Sequence, residues 1–128
     1  MQTSLLLAAV VAAATGVIHS LMGEMLIFRH VRHGGFVPSE GAPPLRKRHI
    51  RILWATWHLA SVFGWAFSGI LLSLAMGYPA SSSLILSAVM AANFGSALLV
   101  FVGTKGRHPG WIALLAVAVL AWLSANTG

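Results

Sequence analysis

The sequence contains no cysteine and only two acidic residues, Glu24 and Glu40, among its 128 positions. The absence of cysteine excludes disulfide bonds and metal sites with thiolate ligands. Charged residues make up only 8% of the chain, whereas 58% of its residues are hydrophobic and the mean hydropathy is +0.85. Such values are typical of integral membrane proteins and lie outside the range of ordinary soluble domains. We therefore interpret the chain as a membrane protein.

Motifs of soluble enzymes are also missing from the sequence. It has no Walker loop, dinucleotide fingerprint, nucleophile elbow or zinc-protease helix, so an enzymatic function has no support from motifs. The net charge of +6 is of the sign that nucleic acids attract. The basic residues flank apolar segments of membrane length, however, so we expect anionic lipid head groups as partners and no nucleic acid.

Four apolar segments are long enough to cross a bilayer, whose core of about 30 Å requires roughly 20 helical residues. The helices are expected over about 4–28, 44–76, 83–103 and 109–125, and the membrane part of the second begins near position 52. The first segment lacks the basic start of a signal peptide and is longer than its apolar region, so we expect a retained helix. The predicted fold is all-α, a single domain over 1–128 that forms an up-down-up-down bundle of four transmembrane helices.

The positive residues predict the orientation of this bundle. They lie in two places, between the first and second spans and between the third and fourth: Arg29, Arg32, Arg46, Lys47, Arg48 and Arg51, then Lys105 and Arg107. Because positive loops stay in the cytoplasm, we expect the basic loop 29–43 and the last loop inside and both termini outside. The predicted location is the inner (plasma) membrane, with multiple spans. The residues expected at lipid head groups are Arg29, Arg32, Arg46, Lys47, Lys105 and Arg107.

Small and polar residues of the first span share one face of a helix. At 100° per residue they fall within about 140° of one another, and they are Gly16, His19, Ser20, Gly23 and Glu24. On the second span, His58 and Arg51 also share a face by the same rule. We therefore expect a polar site between the first two helices.

Glu24 needs a partner within this site, because an unpaired carboxylate in a bilayer costs on the order of 1 to 3 kcal/mol even on lenient scales. Counting back from Arg29 places it about 7 Å inside the boundary. The predicted partner is Arg51, or failing that Arg48, in an ion pair that fixes the register of the two helices. A different interpretation makes Glu24 the carrier of a small proton-coupled transporter, although the nearby cations suit a fixed ion pair better.

His19 and His58 lie at similar predicted depths and can act as axial ligands of haem b or another macrocycle, or bind a bare metal ion. Gly16, Ser20 and Gly23 would leave room for a flat ring beside them. The same small residues also allow close helix contact, which would leave no space for a cofactor. Three functions stay open: a cofactor-binding or accessory subunit of a larger membrane complex or homo-oligomer, a purely structural scaffold, and the transporter.

Overall fold

Four long helices account for most of the chain. The computed structural model describes residues 2–127, and the predicted domain limits Met1 and Gly128 lie outside the described residues. The elements are α1 (Thr3–Leu26), a short 3-10 helix (Phe28–Val31), α2 (Lys47–Ala75), α3 (Ser82–Thr104) and α4 (Gly110–Thr127). All four α-helices are long and apolar enough to span a membrane. The predicted all-α fold with four membrane-length helices is confirmed.

The second helix begins later than its sequence indicates. It starts at Lys47, not near Pro44. Residues Ala42 and Leu45 close a tight turn through two backbone hydrogen bonds of 3.0 and 2.7 Å. Because this turn uses the residues that the first helical turn would need, the helix begins only after it.

Each helix packs on its neighbours in the chain. Extensive contacts join α1 to α2, α2 to α3 and α3 to α4, whereas no such contact joins α1 to α4 within residues 2–127. The helices therefore form an open row, and large apolar side chains of the two outer helices remain on the surface. Leu7 on α1 is 60% exposed and Leu120 on α4 is 65% exposed.

The most tightly packed part of the molecule lies where the 3-10 helix, α2 and α3 meet. Phe28, Trp54, Ala55 and Val100 form this core and are each at most 2% exposed. The 3-10 helix begins just after α1 and turns Phe28 inward, so that the C-terminal end of α1 is held against α2. This places the last turn of α1, and with it Glu24, beside the buried indole of Trp54.

Contacts along α1 and α2 run in opposite directions through the sequence. The N–H of Gln2 donates to the carbonyl of Ala75 at 3.1 Å, while at the other end Trp54 donates to Glu24 at 2.7 Å. With this register, the whole of the small and polar face of α1 packs against α2.

Candidate polar site between the first two helices

Glu24 is the centre of a polar site between α1 and α2. Its Oε1 accepts hydrogen bonds from Nε1 of Trp54 at 2.7 Å and from Nε2 of His58 at 2.9 Å. Its Oε2 accepts from Nη2 of Arg32 at 2.7 Å. Hydrogen bonds to an ionised group are about twice as strong as neutral ones. Two donors from α2 and one from the loop after the 3-10 helix thus hold one carboxylate of α1.

The cation of this ion pair differs from the predicted one. Arg51 and Arg48 instead line a separate concavity between α2 and the loop after α3. Arg32 reaches Glu24 because the 3-10 helix Phe28–Val31 turns the chain back over the end of α1. A comparison of helix faces does not find this partner, since Arg32 belongs to no helix.

His58 extends the site away from Glu24. Its Nδ1 lies 2.9 Å from Oγ of Ser20, and the Ser20 hydroxyl lies 2.8 Å from that of Ser61. The side chain of Glu24 is 27% exposed, whereas Ser61 is 2% exposed, so the bonded groups run from the half-buried end of α1 into its interior contact with α2. We call these five residues the polar chain: Arg32, Glu24, His58, Ser20 and Ser61.

The hydroxyl of Ser20 donates to that of Ser61, so its oxygen is left to accept a hydrogen bond from Nδ1 of His58. Both ring nitrogens of His58 are thus bonded, Nδ1 to Ser20 and Nε2 to Glu24.

His19 does not join the polar chain. Its ring stacks on the indole of Trp57 with centroids 4.4 Å apart and planes 6° from parallel. The indole nitrogen of Trp57 donates to the carbonyl oxygen of His19 at 2.8 Å. Within residues 2–127 the ring nitrogens of His19 form no hydrogen bond, and the residue lines a groove of about 390 Å³ together with Gly16 and Ser61.

The two glycines of the α1 face accommodate tryptophan rings. A Cβ added at Gly23 would lie 2.2 Å from Nε1 of Trp57, and one added at Gly16 would lie 2.5 Å from Nε1 of Trp65. The Trp65 nitrogen also donates to the carbonyl of Ala13 at 3.2 Å. The glycines therefore serve close helix contact, the alternative that the sequence left open.

A macrocycle ligated by both histidines does not fit this arrangement. Both nitrogens of His58 are already bonded, and indoles lie against the α2-facing sides of Gly16 and Gly23, where the ring was expected. His19 faces Trp57 instead of His58. Within the described part of the chain, no group of three or more metal-binding side chains comes together either.

The sequence held one signal for the tryptophan contacts. Trp57 and Trp65 are eight residues apart on α2, and Gly16 and Gly23 are seven apart on α1. Both spacings are about two helical turns, so in antiparallel helices each indole can face one glycine. A comparison limited to small and polar residues does not find this match.

Most of the residues predicted at lipid head groups are exposed. Those with exposed side chains are Arg29, Arg46, Lys47, Lys105 and Arg107. Arg32 is the exception, since it turns inward to Glu24.

Comparisons with protein-family models, curated proteins and solved structures give no match to this chain, so its function rests on the geometry of the site.

Proposed function

We propose that the protein is a multi-pass protein of the inner (plasma) membrane whose four helices cross in up-down-up-down order. Each helix has the length and hydropathy of a span. All lysines and arginines lie in the loop between helices one and two, in the first two turns of helix two, or in the loop between helices three and four. By the positive-inside rule these loops are cytoplasmic and both termini are outside. Anionic lipids are the partners of the basic loops.

Within the membrane, the protein acts as a structural accessory subunit of a larger complex or homo-oligomer and not as a catalyst. The observation that carries this proposal is the bonding at the centre of the polar chain: Glu24 has three donors, and His58 is bonded through both nitrogens. A carboxylate and an imidazole that are bonded in this way specify how the two helices pack and are not free for a substrate. The open row of helices leaves apolar faces for lipid and for other subunits.

The same geometry argues against Glu24 as a proton carrier. Protonation of Glu24 would remove the counter-ion of Arg32, whose Nε is buried and already lacks a partner among the described residues. A charged group without a partner inside a membrane protein is expensive. The ion pair is therefore a fixed element of the packing in this proposal.

A double-mutant cycle tests the structural role. We expect Glu24→Gln and Arg32→Gln each to lower the free energy of unfolding in detergent by about 1 to 3 kcal/mol. The double variant should lose less than the sum, with a coupling of about 1 kcal/mol. Arg51→Gln is the matched control, because it removes the same charge without touching Glu24, and it should show no coupling to Glu24→Gln. Coupling to Arg51 in place of Arg32 would contradict the assigned ion pair.

Proton flux separates the structural role from transport. In vesicles with an imposed pH gradient, the reconstituted wild-type protein is expected to take up protons no faster than the Glu24→Gln variant. A proton flux that Glu24→Gln abolishes would establish the transporter instead.

The mass of the native protein tests the accessory role. After extraction in mild detergent, this mass is expected to exceed that of the 13.5 kDa monomer with its bound detergent. A purely monomeric protein would contradict that role.

The topology has a direct test, because the chain has no native cysteine. Single cysteines at Gln2, Gly41, Ser82 and Gly106 are treated in intact cells with a membrane-impermeant maleimide. Labelling is expected at Gln2 and Ser82 only. Labelling of Gly41→Cys before lysis would contradict the proposed orientation and indicate the opposite one.

A second candidate function is favoured by one observation: the ring of His19 has no hydrogen bond within residues 2–127 and lines an open groove with Gly16 and Gly64. A single neutral imidazole can hold a haem there. Protein from haem-replete membranes would then show a Soret band that is lost in His19→Ala and kept in His58→Ala. A preparation without a Soret band would contradict haem binding at His19.

A further inference from the structure

A large concavity lies between the beginning of α2 and the loop that joins α3 to α4. Its volume is about 890 Å³. Two histidines and two hydroxyl side chains line it, together with five cationic residues and no carboxylate. The cationic residues are Lys47, Arg48, Arg51, Lys105 and Arg107. We call this concavity the basic pocket.

The chain contains two acidic residues, and neither lines the basic pocket. Glu24 is bonded to Arg32, and Oε1 of Glu40 lies 3.2 Å from Nδ1 of His33. Within residues 2–127 none of the five cations forms an ion pair. Like charges around one cavity repel each other, so an anion from outside would stabilise the arrangement.

The first turn of α2 adds to this excess of positive charge. Helix N-termini carry a partial positive charge and favour acidic side chains nearby. The first turn of α2 contains none, and Lys47 and Arg48 occupy it instead. The charges of these two side chains and the partial positive charge of the helix N-terminus thus add at the edge of the basic pocket.

Close packing of α3 on α2 holds the pocket together. At Gly103 an added Cβ would lie 3.1 Å from Cβ of Ala55 and 3.3 Å from the backbone oxygen of Arg51, closer than ordinary van der Waals contact, so glycine favours this close approach of the two helices. Lys105 follows at the end of α3 with φ 55° and ψ 41°. Glycine usually takes this left-handed conformation, because it is unfavourable for residues with a side chain. Lys105 therefore lies at the edge of the pocket at a local conformational cost.

We propose that the basic pocket binds a phosphate group of an anionic ligand, with Arg51, Lys105 and Arg107 as the main contacts. Arginine forms paired hydrogen bonds to phosphate oxygens, and lysine adds a point charge. The volume lies within the range of sites for small ligands. Because the pocket opens at the basic ends of membrane-length helices, the phosphate of an anionic phospholipid is the source that its position favours. A soluble phosphate compound shares the same chemistry. The proposal does not depend on the structural role of the polar chain.

Binding is tested with the full-length protein in a non-ionic detergent. The probes are mixed micelles with phosphatidylglycerol, mixed micelles with phosphatidylcholine, and soluble pyrophosphate, and the readout is the rise in unfolding temperature with probe concentration. We expect a saturable rise with phosphatidylglycerol and none with phosphatidylcholine. Arg51→Gln and Lys105→Gly should each weaken the affinity about tenfold.

Two variants keep this experiment decisive. Lys105→Gly removes a charge and also relieves the left-handed conformation, so its fold should be no less stable than the wild type in the absence of probe. His30→Gln changes an exposed polar side chain outside the basic pocket, and its affinity should stay within about twofold of the wild type because surface substitutions away from a site have small effects. Saturable binding of pyrophosphate but not of phosphatidylglycerol would assign the site to a soluble phosphate. Equal losses of affinity in His30→Gln and Arg51→Gln, or no saturable binding of either probe, would overturn the proposal.

Discussion

Replacing Gly23 with alanine should force α1 and α2 apart. The new methyl carbon would lie 2.2 Å from Nε1 and 2.5 Å from Cδ1 of Trp57, far inside van der Waals contact. The indole is held in place from several sides. It donates to the carbonyl of His19 at 2.8 Å, stacks on the His19 ring at 4.4 Å, and meets Phe28 edge-on at 6.1 Å. It cannot rotate away from the methyl group without losing these contacts.

The expected loss follows from three contributions to the free energy of unfolding. Overpacking costs about 1 to 3 kcal/mol, and loss of the Trp57 hydrogen bond costs about 1 kcal/mol more. Alanine regains about 0.5 to 1 kcal/mol over glycine inside a helix. The net destabilisation is thus about 1 to 3.5 kcal/mol. Gly64→Ala is the matched control, because nothing lies within 4 Å of a Cβ added at Gly64, and it should be stabilised by about 0.5 to 1 kcal/mol.

Both variants are unfolded from mild-detergent micelles by increasing the fraction of sodium dodecyl sulfate, and tryptophan fluorescence reports the transition. Gly23→Ala should unfold at a lower fraction than the wild type, and Gly64→Ala at the same or a higher fraction. Trp57→Phe, with its smaller ring, should reduce the cost of Gly23→Ala when the two are combined. If Gly23→Ala were as stable as Gly64→Ala, the packing of Trp57 against α1 would be refuted.

Further predictions concern the hydroxyl and indole groups of the helix contacts. Ser96 is 0% exposed and its hydroxyl has no partner among the described residues, so Ser96→Ala should raise the free energy of unfolding by about 1 kcal/mol. Ser61→Ala removes a bonded hydroxyl and should lower the free energy of unfolding by about 1 kcal/mol. Thermal unfolding of both variants measures the difference, and a loss of stability in Ser96→Ala would contradict the conclusion that its hydroxyl has no partner. Trp54→Phe removes a donor 2.7 Å from the carboxylate of Glu24 and should cost about 1.5 to 3 kcal/mol. Trp65→Phe removes a bond of 3.2 Å to a neutral carbonyl and should cost about 0.5 to 1 kcal/mol, so equal losses would argue against a charge-assisted bond at Trp54.

Part of the polar site follows from the sequence. Ser20 and Glu24 were placed on one face of α1, and His58 was placed on the facing helix; the structure joins these three by hydrogen bonds. Helical periodicity is sufficient for this because it fixes which residues of one helix share a side. It does not specify rotamers, and so it did not show that His19 would stack on Trp57 instead of facing His58.

The number and the apolar character of the four helices were determined by the sequence alone. A segment of about 20 apolar residues satisfies its own backbone in a helix whatever surrounds it, so composition and length suffice. The identity of the partners was decided by tertiary structure. Arg32 reaches Glu24 through an irregular turn, and Arg51 points into the basic pocket because Gly103 admits α3 beside α2. Such contacts depend on loop geometry and on how closely two helices approach, and neither is a property of any single segment of the chain.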